Sequence, residues 1–164
     1  MVPHVPTTGN FTPEQLLDHE RELVLPSLSN DDAIDLGLTV LRLARERSLP
    51  VLVEVRRWPQ TLFRAALPGT APDNDAWVDG KARVVQRFGH SSLHERVRHE
   101  AAGTTFADKT GLPADRYAAH GGGFPLAVQG TGVVGVLLVS GLPQVEDHAL
   151  AVEALREFLA ARRG

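Results

Sequence analysis

The stretch Phe124-Pro125-Leu126-Ala127-Val128-Gln129-Gly130-Thr131-Gly132-Val133-Val134-Gly135-Val136-Leu137-Leu138-Val139-Ser140 reads as two strands, 124–128 and 133–140, joined by a glycine-punctuated turn. Immediately before it stands His120-Gly121-Gly122-Gly123, and immediately after it Gly141-Leu142-Pro143 leads into a helix predicted over 144–163. That helix places Val152, Leu155, Phe158 and Leu159 on one stripe. Glu146 and Asp147 suit its positive end, and Arg162 and Arg163 its negative end.

Working outward, Val51 to Arg57 and Thr61 to Leu67 form a second pair of strands around the turn Trp58-Pro59-Gln60, and the pairing is antiparallel. Two helices precede it. Thr12 caps the first, which runs to about Val24, with Pro13 at the first helical position, Gln15 closing a capping box and Phe11 stapled to Leu16. Ser29-Asn30-Asp31-Asp32 opens the second, which Pro50 ends. Between the two hairpins, Asp73 or Asn74 caps a helix carrying Trp77, Ala82, Val84, Val85 and Phe88. Gly89-His90 breaks it, and Ser91 or Ser92 caps the next helix, to Ala102. Segregated hairpins and helices describe an α+β domain.

Composition sets limits on function. A chain of 164 residues is expected to form one domain, 1–164, with residues 1–10 as a flexible tail, burying roughly 70% of its unfolded surface. Six Phe, two Trp and one Tyr leave Val, Leu and Ala to build the core. The absence of cysteine excludes disulfides, thiolate-bound zinc, iron–sulfur clusters and a thiol nucleophile. With no cationic, apolar leader at the N-terminus, the expected address is the cytoplasm. The apolar run 133–139 is far too short for a membrane span, and a net charge of −3 gives no footprint for nucleic acid.

Four strings stand in order along the chain: Pro68-Gly69-Thr70-Ala71-Pro72-Asp73-Asn74-Asp75 with Trp77; Lys81-Ala82-Arg83 with Arg87-Phe88-Gly89-His90-Ser91-Ser92; Ala118-Ala119-His120-Gly121-Gly122-Gly123-Phe124-Pro125; and Val139-Ser140-Gly141-Leu142-Pro143-Gln144 with Asp147-His148. With these strings the chain, from about Phe11 to Gly164, resembles an uncharacterised branch of the haem-degrading domain family, the GlcG/HbpS-like proteins. The resemblance implies a profilin-like three-layer arrangement, an antiparallel sheet of about five strands with helices on both faces. It also implies assembly into a homo-oligomer, and relatives linked to haem or iron. Four strands are legible from the residues; the fifth is expected in a segment read as coil.

His120 and its glycines invite three readings. Backbone N–H groups beside a titratable ring suit an anion or small-ligand pocket. Alternatively, Gly121 to Gly123 form a bulged lead-in to the strand at Phe124. A third parallel, the oxyanion loop of α/β-hydrolases, fails. The nearest serine elbow, Gly89-His90-Ser91-Ser92-Leu93, lacks its second glycine and comes too early in the chain.

On one helix the spacing of His90 and His94 would place two imidazoles toward a metal, but Gly89 and the serines put His90 before the helix. His94 and His99 therefore read as a solvated helix face, and His148 as a packing residue oriented by Asp147. Arg64 and Lys81 are the cations expected to meet a carboxylate or propionate; the plainer reading pairs the arginines with Glu54, Asp75 and Asp79. Trp77 reads as a packed helix residue. The candidate ligand set is thus His90, Ser91, His120, Gly121, Gly122, Gly123, Phe124, Arg64 and Lys81, with His90 and His120 as ligands to a divalent metal or to haem iron. The leading function is binding of haem, a metal ion or a small anion by a homo-oligomer. The alternatives are an enzyme using His90 and His120 on haem or a related compound, and a structural, partner-binding assembly.

Overall fold

Helix α1 (Pro13–Glu22) begins as its residues require: Thr12 Oγ1 accepts from the Gln15 amide, and the Gln15 side chain accepts from the Thr12 N–H. Ser29 and Asp32 build the same reciprocal box on α2 (Asn30–Glu46). The computed structural model describes residues 7–163. Residues 1–6 of the expected N-terminal tail lie outside the described residues, while Thr7 to Asn10 form a turn fastened to the last helix through Gln144 Nε2 and Thr7 Oγ1, 3.2 Å apart.

Strands β1 (Leu52–Arg57) and β2 (Gln60–Ala66) form the first hairpin, and β3 (Gly123–Val128) and β4 (Gly132–Ser140) the second. β1 also pairs antiparallel with β4, giving the order β2-β1-β4-β3. Between the hairpins run α3 (Pro72–Phe88), α4 (Ser92–Ala101) and the short α5 (Phe106–Thr110), and α6 (Gln144–Arg163) closes the chain. The alternation of side chains along a strand sorts the core into two layers. Val53, Val55, Leu137 and Val139 face α2 and α6, whereas Leu52, Val136 and Leu138 face Val78, Ala82 and Val85 of α3. The three-layer α+β arrangement is the expected one.

The sheet has four strands among the described residues, not about five. The nearest approach to a fifth is the single bridge Leu25–Val128, where Leu25 donates to Ala127 O at 2.8 Å and accepts from the Gln129 amide at 2.9 Å. β3 itself ends at Val128, where the Thr131 amide turns back to the Val128 carbonyl at 2.9 Å, and the pairing stops at one residue. Helix α3 starts at Pro72, earlier than the caps read from Asp73 or Asn74. Its N-cap position is Ala71, whose N–H donates to Asn74 Oδ1 at 2.9 Å. Ser91 caps α4, its Oγ accepting from the His94 amide at 3.1 Å.

Glu54, on the face of β1 toward α3, is buried yet charged, and the hairpin supplies its partners: Arg56 beside it, and Arg64 opposite it in register at 3.4 Å. Arg56 reaches on to Asp79 at 2.6 Å, and Arg64 pairs with Asp75, so the network ties α3 to the sheet. No helix among the described residues is long and apolar enough to cross a membrane.

Candidate functional site

Gly121, Gly122 and Gly123 are buried, and their polar groups are largely engaged within the chain. The Gly121 amide donates to Gln144 Oε1 at 3.1 Å, the Gly123 amide donates to Ser92 Oγ at 2.9 Å, and the Gly122 carbonyl accepts from the Val139 amide at 2.9 Å. Glycine is needed here for close approach. A Cβ on Gly121 would lie 2.2 Å from the Gln144 carbonyl oxygen, and one on Gly122 equally close to that of Val139, at a φ of +127°. Two of the three amides are thus taken up within the chain, and the glycines carry β3 tightly past α6 and β4.

Their effect on the site is indirect, through Lys81 and Asp147. Lys81 Nζ, brought by α3, donates to Val139 O at 3.0 Å and to Asp147 Oδ2 at 3.2 Å, with side-chain exposures of only 3% and 2%. Asp147, in the first turn of α6, also accepts from the Leu142 amide at 3.0 Å. Burial pushes the Asp147 carboxyl up to about 6, against the pull of Lys81, and burial likewise lowers Lys81. Lys81 therefore answers a buried carboxylate in place of a propionate, and Asp147 serves Lys81 in place of His148.

His120 is where the chain opens. Its ring stands edge-to-face on Trp77 with centroids 4.9 Å apart, and Trp77 is 39% exposed, a wall of the site instead of a core residue. The pair divides two clefts. One, of about 340 Å³, is lined by Phe106, Leu112, Tyr117 and Arg96; the other, of about 260 Å³, by Asn74, Ser140, Gln144 and the Lys81–Asp147 pair. Burial pushes His120 down to about 4, with Arg96 and Lys81 adding positive charge, so the ring is neutral near pH 7. Neither ring nitrogen has a hydrogen-bond partner among the described residues, which leaves a lone pair for a ligand. Another cavity, of about 490 Å³ between α2 and β2, has Arg45 as its one charged lining residue and offers little comparable chemistry.

The other candidates lie elsewhere. His90 makes no ring contact with His120: its Nδ1 is 2.9 Å from Glu20 Oε1, and its ring lies 4.8 Å from that of His94. The expected pairing of His90 with His120 as ligands is corrected accordingly. Ser91 is fully buried as a helix cap, which also removes it as a nucleophile, and Phe124 is buried in the main core. Arg64 pairs with Asp75 and Glu54 on the sheet.

His94 and His99 overturn the solvated-face reading, since both are buried, His99 edge-on against Phe106. His148 does pack at the helix start, but its partner is His19, whose Nδ1 lies 3.0 Å from His148 Nε2. His148 Nδ1 is buried with no partner, so that atom is best a bare lone pair while Nε2–H donates to His19. Burial, then the charge of His19, pushes His148 down to about 3. A His depressed in the folded state contributes stability above its unfolded pKa, and loses it as pH falls. Acidification from pH 6.5 to 5 is expected to cost about 1.6 kcal/mol from His148 alone, the slope rising from about half of 1.4 kcal/mol per pH unit toward its full value. Asp147, raised in the folded state, acts with the opposite sign over part of that range. The test is therefore the difference in urea midpoint between wild type and His148→Gln, which should shrink toward pH 5.

Glu20, Arg96, Phe106 and Tyr117 escaped the sequence reading. Each sits on a helix or connection that is unremarkable by itself, and only the packing of α4 and α5 against α3 and α1 brings them to His90 or His120.

Comparison with known proteins supports the fold and the family. A family model described as "Haem degrading protein HbpS-like" matches residues 28–156. The chain belongs to this HbpS-like haem-degrading protein family, as its four sequence strings imply. It is similar to a UPF0303 protein of Streptomyces avermitilis, 56% identical over 145 residues, which cover 88% of this chain and 89% of the relative. Among solved structures it is similar to the Ybr137w protein, with 30% identity, a TM-score of 0.86, and 98% and 99% of the two chains covered. A PduOC:heme complex shares the fold at a TM-score of 0.67 and 20% identity, over 79% of this chain and 94% of that one.

Proposed function

We propose that this chain is a cytoplasmic, single-domain, homo-oligomeric small-ligand-binding protein, and that its ligand is haem held in the cleft that His120 and Trp77 share. The observation that carries the reading is the neutral, unpartnered imidazole of His120 at the junction of two clefts. The residues present fit the group. His120 offers an uncharged nitrogen to an iron; Trp77, Phe106, Leu112 and Tyr117 offer an apolar, largely aromatic wall to a flat macrocycle; and Arg96 offers a guanidinium to a carboxylate. Bound haem would supply an iron centre whose potential follows its axial ligand. The family assignment and the PduOC:heme neighbour support the choice of ligand. Assembly is supported by Ile34 and Leu38, exposed one turn apart on α2.

Haemin titration of the full chain tests this. Wild type is expected to bind about one haem per chain with a shifted Soret band, and His120→Ala, at unchanged oligomeric state, to lose at least about tenfold in affinity, or 1.4 kcal/mol. Equal binding by both proteins rejects His120 as the ligand. Absence of binding by wild type rejects haem.

A further inference from the structure

Glu20, His90 and His94 converge from three separate pieces of the chain: α1, the break after α3, and the first turn of α4. Each offers one ligand atom, and these atoms all lie within 4.8 Å of one another. Glu20 is fixed in place, with Oε1 against His90 Nδ1 at 2.9 Å and Oε2 accepting from the Ser91 amide at 3.3 Å.

His94 is oriented from behind. Its Nδ1 lies 2.9 Å from Oε2 of the buried Glu95, and Arg98 holds the same oxygen at 2.8 Å. A carboxylate on Nδ1 keeps the ring proton there and leaves Nε2 as a lone pair, the arrangement by which outer-shell carboxylates prepare histidine for a metal. Glu95 Oε1 has no hydrogen-bond partner although buried, so this carboxylate sits in the interior chiefly for His94 and Arg98.

We propose that Glu20, His90 and His94 bind a divalent first-row transition-metal ion such as Zn²⁺. Two imidazoles and one carboxylate suit these ions, whereas Mg²⁺ and Ca²⁺ require oxygen donors. His90, at 43% side-chain exposure, gives the ion a route from solvent, and three protein ligands leave a coordination position open. An ion seated between His90 and Glu20 replaces the hydrogen bond between them, with the ring N–H of His90 moving to Nε2. The site involves neither His120 nor Trp77 and does not depend on haem.

Calorimetric titration of the metal-free full chain with Zn²⁺ near pH 7, in buffers of different ionisation enthalpy, tests the assignment, with visible absorption on Co²⁺ addition as a second readout. One ion per chain is expected. His90→Gln and Glu20→Gln should each weaken binding by about tenfold or more, and His120→Ala should leave it unchanged. His90 is exposed enough to be replaced without opening the core. No stoichiometric uptake by wild type, or uptake that both substitutions leave unaltered, overturns the site.

Discussion

Lys81→Met is expected to lower the unfolding free energy by about 3–5 kcal/mol, the cost of stranding a buried charge by removing its partner. Asp147 would keep the Leu142 amide but lose the ammonium 3.2 Å away, and the Val139 carbonyl would lose a donor at 3.0 Å. The sign of the pH dependence is distinctive. Asp147 already titrates near 6 because burial disfavours its charge, and without Lys81 it rises further. Protonation then removes the uncompensated charge, so the deficit of Lys81→Met should narrow as pH falls from the variant's raised value to about 6, where Asp147 of the wild type also takes up its proton. Replacing both partners, Lys81→Met with Asp147→Asn, should recover most of the loss at pH 7. Urea denaturation of the three proteins at pH 7 and 5 measures all of this. A double variant no more stable than Lys81→Met would show that the pair is not the unit of stabilisation.

The second large effect is expected at Gly122. A Cβ there meets the Val139 carbonyl oxygen at 2.2 Å and Lys81 Nζ at 2.8 Å, from a backbone at φ +127°. Strain of about 1–3 kcal/mol for the conformation adds to about 1–3 kcal/mol for the overlap, so Gly122→Ala should cost about 2–6 kcal/mol. Relief requires β3 to move away from β4 at the carbonyl that pairs with the Val139 amide. Gly130 is the control, with positive φ but nothing within 4 Å of an added Cβ. Its substitution should cost about 1 kcal/mol. A Gly122→Ala protein with the urea midpoint of Gly130→Ala would show that β3 is not pinned where the distances place it.

These two residues mark what the sequence could and could not disclose. Local rules located the helix starts at Thr12 and Ser29, both hairpins and the final helix, because caps, turn glycines and apolar periodicity act within a few residues. The four family strings supplied the layers. The count of strands fails at Leu25, where pairing with β3 stops after a single bridge because β3 turns away beyond Val128. The site was legible in part. His120 and Trp77 belong to strings that the sequence marks out, but their contact spans two elements and has no local signature.

Lys81 reads as a ligand from its place close to the Pro68 to Trp77 string, and only Asp147, 66 residues on, shows it to be a buried partner. His94 and His99 misled for a related reason. Their helix is sandwiched by α1 and α5, and a polar residue under such cover looks no different in sequence from one facing water. The glycines stand out in the sequence, but their close backbone approach to Gln144 and Val139 has no local signature.

The division of roles that emerges is simple. Gly121 to Gly123 and the Lys81–Asp147 pair lock β3, β4, α3 and α6 together, and that lock fixes the cleft in which His120 and Trp77 face each other. The measurement that tests this most directly is the imidazole and indole NMR spectrum of the isotope-labelled full chain during titration with gallium protoporphyrin, a diamagnetic stand-in for haem. The His120 ring and the Trp77 indole should shift together and saturate at about one porphyrin per chain, while the buried His148 and His99 stay in place. Unmoved His120 and Trp77 signals at saturation, with perturbation elsewhere, would contradict the account.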